Sequence, residues 1–194
     1  MKLGLPENNK QLEWDLYFMG IAKQVSKNSK CLSRKIGAII VKDKVPISTG
    51  YNGPPRGVPH CDSDERICFI IDQLKFNDEN LGTDAAEIVS IKEFKGKSKY
   101  MCPRRVLGYK SGEGLHLCQA GHAERNAIVN AAREGIRVKG STMYCWCPTP
   151  CSPCLIEIIN AGIVRVVATK EYYYDEIAEW LIKTSDLEMC YLEE

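Results

Sequence analysis

From Ala123 to the C-terminus, segments of helical spacing and segments of strand character follow one another in turn, and that order limits the fold more than any other feature of the chain. Ala123–Glu134 has helical spacing and stops at Gly135. "GSTMYCWC" reads as a strand, "PTPCSPC" as a turn opening a helix over Cys154–Asn160, and Val164–Thr169 as the strand after Gly162. "EYYYDEIAEWLIKTS" passes from loop into helix, and "LEMCYL" reads as a last strand. Upstream, Leu12, Leu16, Met19, Ile21, Ala22 and Val25 fall at helical intervals within Lys10–Asn28. "KIGAIIVKDKVPISTGYNG" reads as two strands joined by a charged turn at Lys42–Lys44. Strands alternating with helices imply an α/β layered fold.

One stretch breaks the rhythm. "GPPRGVPHCD" is a Gly/Pro-rich loop. After it, residues 62–117 begin with a helix-like "SDERICFIIDQLKF" and then mix short helix or strand pieces with polar turns. We read 1–194 as a single domain and 62–117 as an insertion within it. A length of 194 residues suits one such domain, large enough to bury a core without disulfide staples.

Lys and Arg number 26 against 25 Asp and Glu, so no overall field draws in nucleic acid or an anionic membrane. Apolar runs such as Ile36–Val41 are far too short to span a bilayer. The first residues, "MKLGLPENNK", lack the apolar segment of a signal peptide. The expectation is a soluble, cytoplasmic protein with no membrane partner and no nucleic-acid partner. Ten cysteines in such a setting point to metal ligation or catalysis rather than to disulfide bridges. Cys68, Cys145, Cys147 and Cys190 lie in apolar runs and read as small buried hydrophobes.

The chemistry concentrates in two short motifs. Cys151 and Cys154 are spaced so that one helical turn brings both sulfurs to a point, and the helix start favours their thiolates. His122 stands at the start of the other helix, two residues before Glu124. If the two helix starts face each other, His122, Cys151 and Cys154 supply three zinc ligands and leave a fourth position to water. Glu124 then hangs over that water as a proton shuttle. His-Ala-Glu, a strand, and Pro-Cys-x-x-Cys together form the signature of zinc deaminases. A closed structural site needs a fourth protein ligand, and Cys147 is the nearest candidate for it.

These residues resemble the cytidine deaminase superfamily and, within it, the deoxycytidylate (dCMP) deaminase family. "SKCLSRKIGAIIVKDKVPISTGYNGPPRG", "HAERNAI" and "GSTMYCWCPTPCSPCLIEIINAGIVRVV" carry the resemblance, which covers nearly the whole chain. It implies a three-layer α/β/α sandwich around a mixed five-stranded sheet. It also implies hydrolysis of dCMP to dUMP and ammonia, supplying dUMP for dTMP synthesis, with Glu124 passing a proton to N3 of the cytosine while water attacks C4. By the same resemblance, Asn52 binds the sugar or base edge, the backbone of Ala123 holds the base carbonyl, and Tyr172 stacks on the ring. Read without the resemblance, Asn52 is an ordinary turn residue before Gly53 and Tyr172 a packing aromatic. Arg56, Arg104, Arg105, Arg125 and Arg133 are candidates for the 5′-phosphate, with Arg56 and Arg133 also candidates for an effector.

A second, structural zinc is a further implication of the resemblance. Its ligands would come from Cys31, His60 or Cys61, Cys102, and His116 or Cys118. A homohexamer activated by dCTP and inhibited by dTTP, with Mg2+ accompanying the triphosphates, is also implied; Gly50–Gly57 and the insertion are candidate parts of that effector site. Two other readings stay open on sequence alone. One is deamination of another cytosine or adenine substrate (CMP, cytidine or tRNA). The other is a zinc-bound nucleotide sensor without catalysis.

Overall fold

A computed structural model describes residues 9–78, 91–110 and 112–192. The polar run expected to hold short pieces around 79–90 lies outside these residues, as does the N-terminal run 1–8. The chain forms two compact units. One is drawn from Met1–Ser29, Lys35–Asn52 and Gly121–Glu194, the other from Lys30–Arg34 and Gly53–Ala120. The expected insertion, 62–117, falls within the second unit, which also takes in the Gly/Pro-rich loop and the short segment around Cys31.

The first unit is a five-stranded mixed sheet in the order β2-β1-β3-β4-β5. Its strands are β1 (Gly37–Lys42), β2 (Val45–Tyr51), β3 (Thr142–Cys145), β4 (Arg165–Ala168) and β5 (Glu188–Tyr191). β1 pairs antiparallel with both β2 and β3, while β3–β4 and β4–β5 are parallel. The β1–β2 turn is the two residues Asp43 and Lys44, both left-handed with φ of 50° and 63°, a geometry that matches the twist of a hairpin.

Alternation along the strands sorts the core onto two faces. Ala38, Ile40, Met143, Cys145, Val166 and Ala168 pack with Ala123, Ala127, Leu155, Ile158 and Ala178. That face is covered by α5 (Ala123–Arg133), α6 (Ser152–Asn160) and α7 (Glu176–Thr184). Ile39, Val41, Tyr144, Val167 and Cys190 pack with Phe18, Met19 and Ala22 of α1 (Asn9–Ser26) on the other. The result is the expected α/β/α sandwich. Two glycines set how closely helices approach the sheet. A Cβ on Gly37 would lie 2.3 Å from Ala22 O in α1, and one on Gly50 would lie 2.2 Å from Ala123 O in α5.

The sequence reading of α1 was misphased in part: Leu16 is 57 % exposed, whereas Asp15 is fully buried. The inward side of this helix is Asp15, Phe18, Met19, Ala22 and Ser26, the spacing of a single helical face.

The second unit contains α2 (Asp64–Asp78), α3 (Ile91–Ser98), α4 (Pro103–Val106) and a short 3-10 turn at Leu115–Leu117. Ile67, Ile70, Ile71, Phe94, Val106, Leu107 and Leu117 form its own small core. Cys68 is exposed, against the expectation of a buried cysteine, because α2 turns Ile67, Ile70 and Ile71 inward and Cys68 with Phe69 outward. Among the described residues no helix is long and apolar enough to cross a membrane.

Candidate metal centre

The site is built on two helix starts. His122 is the N-cap of α5 and Cys151 the N-cap of α6, both in extended conformation (φ −73°, ψ 153° and φ −69°, ψ 161°). Pro153 sits in the first turn of α6, where no backbone donor is needed. Two contacts hold the start of α5. The missing side chain of Gly50 lets its first turn close onto β2. Asn126 Nδ2 donates to Tyr51 O at 2.8 Å and to Gly121 O at 3.3 Å.

His122 Nδ1 lies 3.3 Å from Cys151 Sγ and 3.3 Å from Cys154 Sγ, and the two sulfurs are 3.6 Å apart. Tetrahedral zinc, with Zn–S of about 2.3 Å and Zn–N of about 2.0–2.1 Å, sets such donors roughly 3.5–3.8 Å apart. Among the described residues these three form the group whose ligand atoms all lie within 4.8 Å of one another. Two soft thiolates, one imidazole and this spacing fit Zn2+ with one position left over. Cys147 stands outside the group. Its thiol donates instead to Glu124 Oε1 at 3.7 Å, so it is not the fourth ligand of a closed site.

The electrostatics suit a bound cation. Cys151 is drawn down to about 4, first by the hydrogen bond from Cys154 and then by His122. Cys154 is pushed up by the Cys151 thiolate beside it. Glu124 is 3 % exposed. Burial pushes its carboxyl up, and the neighbouring Cys151 charge adds to this. Its Oε2 is buried without a hydrogen-bond partner.

The other expected site residues fall as follows. Ala123 is fully buried in the first turn of α5. Asn52 is 6 % exposed, and its Oδ1 accepts from Ile36 N at 2.8 Å, so its amide oxygen is committed to the sheet edge. Tyr172 is 51 % exposed and packs edge-on against Tyr174, and its backbone N–H donates to Thr149 Oγ1 at 3.1 Å. Arg133 sits in the last turn of α5, about 16.5 Å along the helix from His122, and pairs with Glu134 at 2.9 Å. Arg125 pairs with Glu157 of α6 at 2.8 Å. Arg56, Arg104 and Arg105 belong to the second unit, as do Cys31, His60, Cys61, Cys102, His116 and Cys118. There the Cys61 thiol is raised to about 11, by burial and then by Cys118, Cys102 and Cys31. His116 packs edge-on against Tyr109. Sequence reasoning placed Cys147 near the site as a possible fourth ligand but missed its contact with Glu124, which no local spacing signals.

The family described as "Cytidine and deoxycytidylate deaminase zinc-binding region" matches residues 12–170. The deoxycytidylate deaminase of Mycobacterium phage D29 is 32 % identical over 164 residues, covering 82 % of this chain and 96 % of the phage protein. The Saccharomyces cerevisiae deoxycytidylate deaminase is 30 % identical over 90 % of this chain but 43 % of its own length, and the Schizosaccharomyces pombe protein is matched over 46 % of its length. This chain therefore spans less than half of those two fungal relatives. A crystal structure of dCMP deaminase from the cyanophage S-TIM5 in complex with dCMP and dUMP has the same fold, with a TM-score of 0.58 at 21 % identity, covering 94 % of this chain and 96 % of that one.

Proposed function

Because the chain belongs to the cytidine and deoxycytidylate deaminase family, we propose that it is a zinc-dependent hydrolase converting dCMP and water to dUMP and ammonia. The observation that carries this reading is the convergence of His122, Cys151 and Cys154 beside a buried Glu124 with one unpartnered carboxylate oxygen. Those three residues would hold Zn2+, which would supply a water of lowered pKa. Glu124 does the proton work. Its raised pKa lets it hold a proton between steps. It takes one from the attacking water and delivers it to N3 of the cytosine as the ring is attacked at C4; it then takes the remaining proton from the new C4 hydroxyl and delivers it to the amino nitrogen, which leaves as ammonia. The buried first turn of α5 at Ala123 offers backbone donors to the base carbonyl, and the exposed ring of Tyr172 offers a stacking surface. Asn52 shapes the loop through its bond to Ile36, and any substrate contact falls to the remainder of its amide.

The test is ammonia release from dCMP by the zinc-loaded protein, with CMP, cytidine and tRNA as competing substrates. Turnover of dCMP is expected to fall roughly 10²–10⁴-fold in Glu124→Ala with zinc retained. An active Glu124→Ala protein would sink the assignment of the shuttle. Tight binding of dCTP or dTTP without ammonia release would favour the sensor.

We propose also that the second unit holds a structural zinc on Cys31, Cys61, Cys102 and Cys118. What supports this is that burial, and then the neighbouring Cys118, Cys102 and Cys31, raise the Cys61 thiol. The expected metal content is two zinc ions per chain, falling to one in Cys102→Ser; a content of one in the parent protein removes the site. Activation by dCTP with Mg2+, inhibition by dTTP, a homohexamer and a cytoplasmic location complete the proposal. Light scattering with and without dCTP tests the assembly.

A further inference from the structure

A proton shuttle such as Glu124 works only with its carboxyl plane held in one orientation. Cys147 is a buried thiol outside the ligand trio, 9 % exposed. Its backbone is pinned on both sides: its N–H donates to Cys145 O at 2.8 Å, and its carbonyl accepts from Thr169 N at 2.9 Å. From that fixed frame its Sγ reaches Glu124 Oε1 at 3.7 Å, with the Cys145 thiol as its other neighbour, while Oε2 has no partner. The two oxygens of one carboxylate are thus distinguished by their surroundings.

We infer that Cys147 is a positioning residue: its thiol holds Oε1 of Glu124 and so presents Oε2 to the water and the substrate. The inference rests on the deaminase reading for its consequence in catalysis, and on geometry alone for the bond. A thiol is a weak donor, yet its acceptor here is a carboxylate in a buried site, where a hydrogen bond is worth more than in water. The two oxygens are equivalent by a half-turn, so what the bond fixes is the carboxyl torsion, whose profile is otherwise broad; without it the free oxygen no longer points in one direction. Loss of orientation of this kind acts on the chemical step and leaves ground-state binding nearly intact.

The experiment compares Cys147→Ala, Cys147→Val and Cys147→Ser, each checked for zinc content. Positioning predicts that kcat for dCMP falls about tenfold in the Ala and Val proteins, that KM stays within about twofold, and that Ser restores most of the rate because its hydroxyl donates to the same oxygen. A purely packing role predicts the opposite order, with Val nearest the parent and Ser worst, since an apolar residue of similar volume suits a buried site. The second readout needs no turnover. The S–H stretching band of Cys147, assigned by its loss in Cys147→Ser, is expected to move to higher wavenumber in Glu124→Ala. A Cys147→Val protein with parental kcat, or an S–H band indifferent to Glu124, overturns the inference. If the parent protein releases no ammonia from dCMP, the deaminase reading fails separately, and the band still decides whether this thiol holds the carboxylate.

Discussion

Asp15 brings a charge into the apolar layer between α1 and the sheet, and its partners explain how. Arg165 Nη1 and Nη2 donate to its two oxygens, each at 2.8 Å, and Tyr144 Oη donates at 2.7 Å. Arg165 also pairs with Glu188 at 3.1 Å. Burial alone would raise the Asp15 carboxyl, but the hydrogen bonds from Arg165 and Tyr144 and the Arg165 charge outweigh it and hold it below the ordinary 3.8. A carboxyl depressed on folding stabilises the protein above its unfolded pKa, and that contribution is lost as pH falls through the folded value. Asp15→Asn is therefore expected to cost about 3 kcal/mol in urea denaturation at neutral pH. The difference from the parent should narrow as the pH is taken below 3.8. A deficit that persists unchanged in acid would mean that packing, not charge, is what the substitution removes. None of this was legible in the sequence. Asp15 lies in a helix beside apolar neighbours, and its partner Arg165 is 150 residues away. Pairing at that range leaves no local pattern, whereas His122 and Glu124, and Cys151 and Cys154, announce themselves by short spacing.

At the scale of elements, the strands and helices of the first unit were readable because each has its own hydrophobic period and clear punctuation. Gly135, with φ of 67°, follows α5 as expected, and α6 begins at Ser152, two residues before the expected Cys154, because Cys151 itself is the N-cap. The approach of α5 to β2 was not readable, since Gly50 looked like part of a turn-rich loop and its use lies in what it leaves vacant. Gly50→Ala would set a Cβ 2.2 Å from Ala123 O and 2.3 Å from Ala127 N, contacts that neither backbone can yield without moving the helix. The expected cost is about 1–3 kcal/mol of stability and a loss of dCMP turnover larger than the stability change explains, because Glu124 rides on the displaced turn. Parental kcat in a correctly folded Gly50→Ala protein would refute that coupling. The second unit was the hardest to read. Its helices α3 and α4 are short, and a small core such as Ile67, Phe94, Val106 and Leu117 gathers residues from separated pieces rather than from one periodic face.

Taken as a whole molecule, the chain has a sheet-based unit carrying the His122–Cys151–Cys154 group and a second unit with its own apolar cluster and five thiols. The near balance of charge places any specificity in these local sites rather than in a global field. One feature of the first unit ties metal content to folding. Helix α7 closes its start with Asp175, whose Oδ1 accepts from Ala178 N at 2.7 Å. Neither His122 nor Cys151 does the same for α5 or α6, since neither makes a side-chain capping bond. The two N-cap side chains turn toward each other instead, His122 Nδ1 lying 3.3 Å from Cys151 Sγ. A cation held by these residues would be a clasp shared by two helix ends. Chelation should let both ends fray together, seen as faster amide hydrogen exchange in the first turns of α5 and α6 while that of α7 holds its pace.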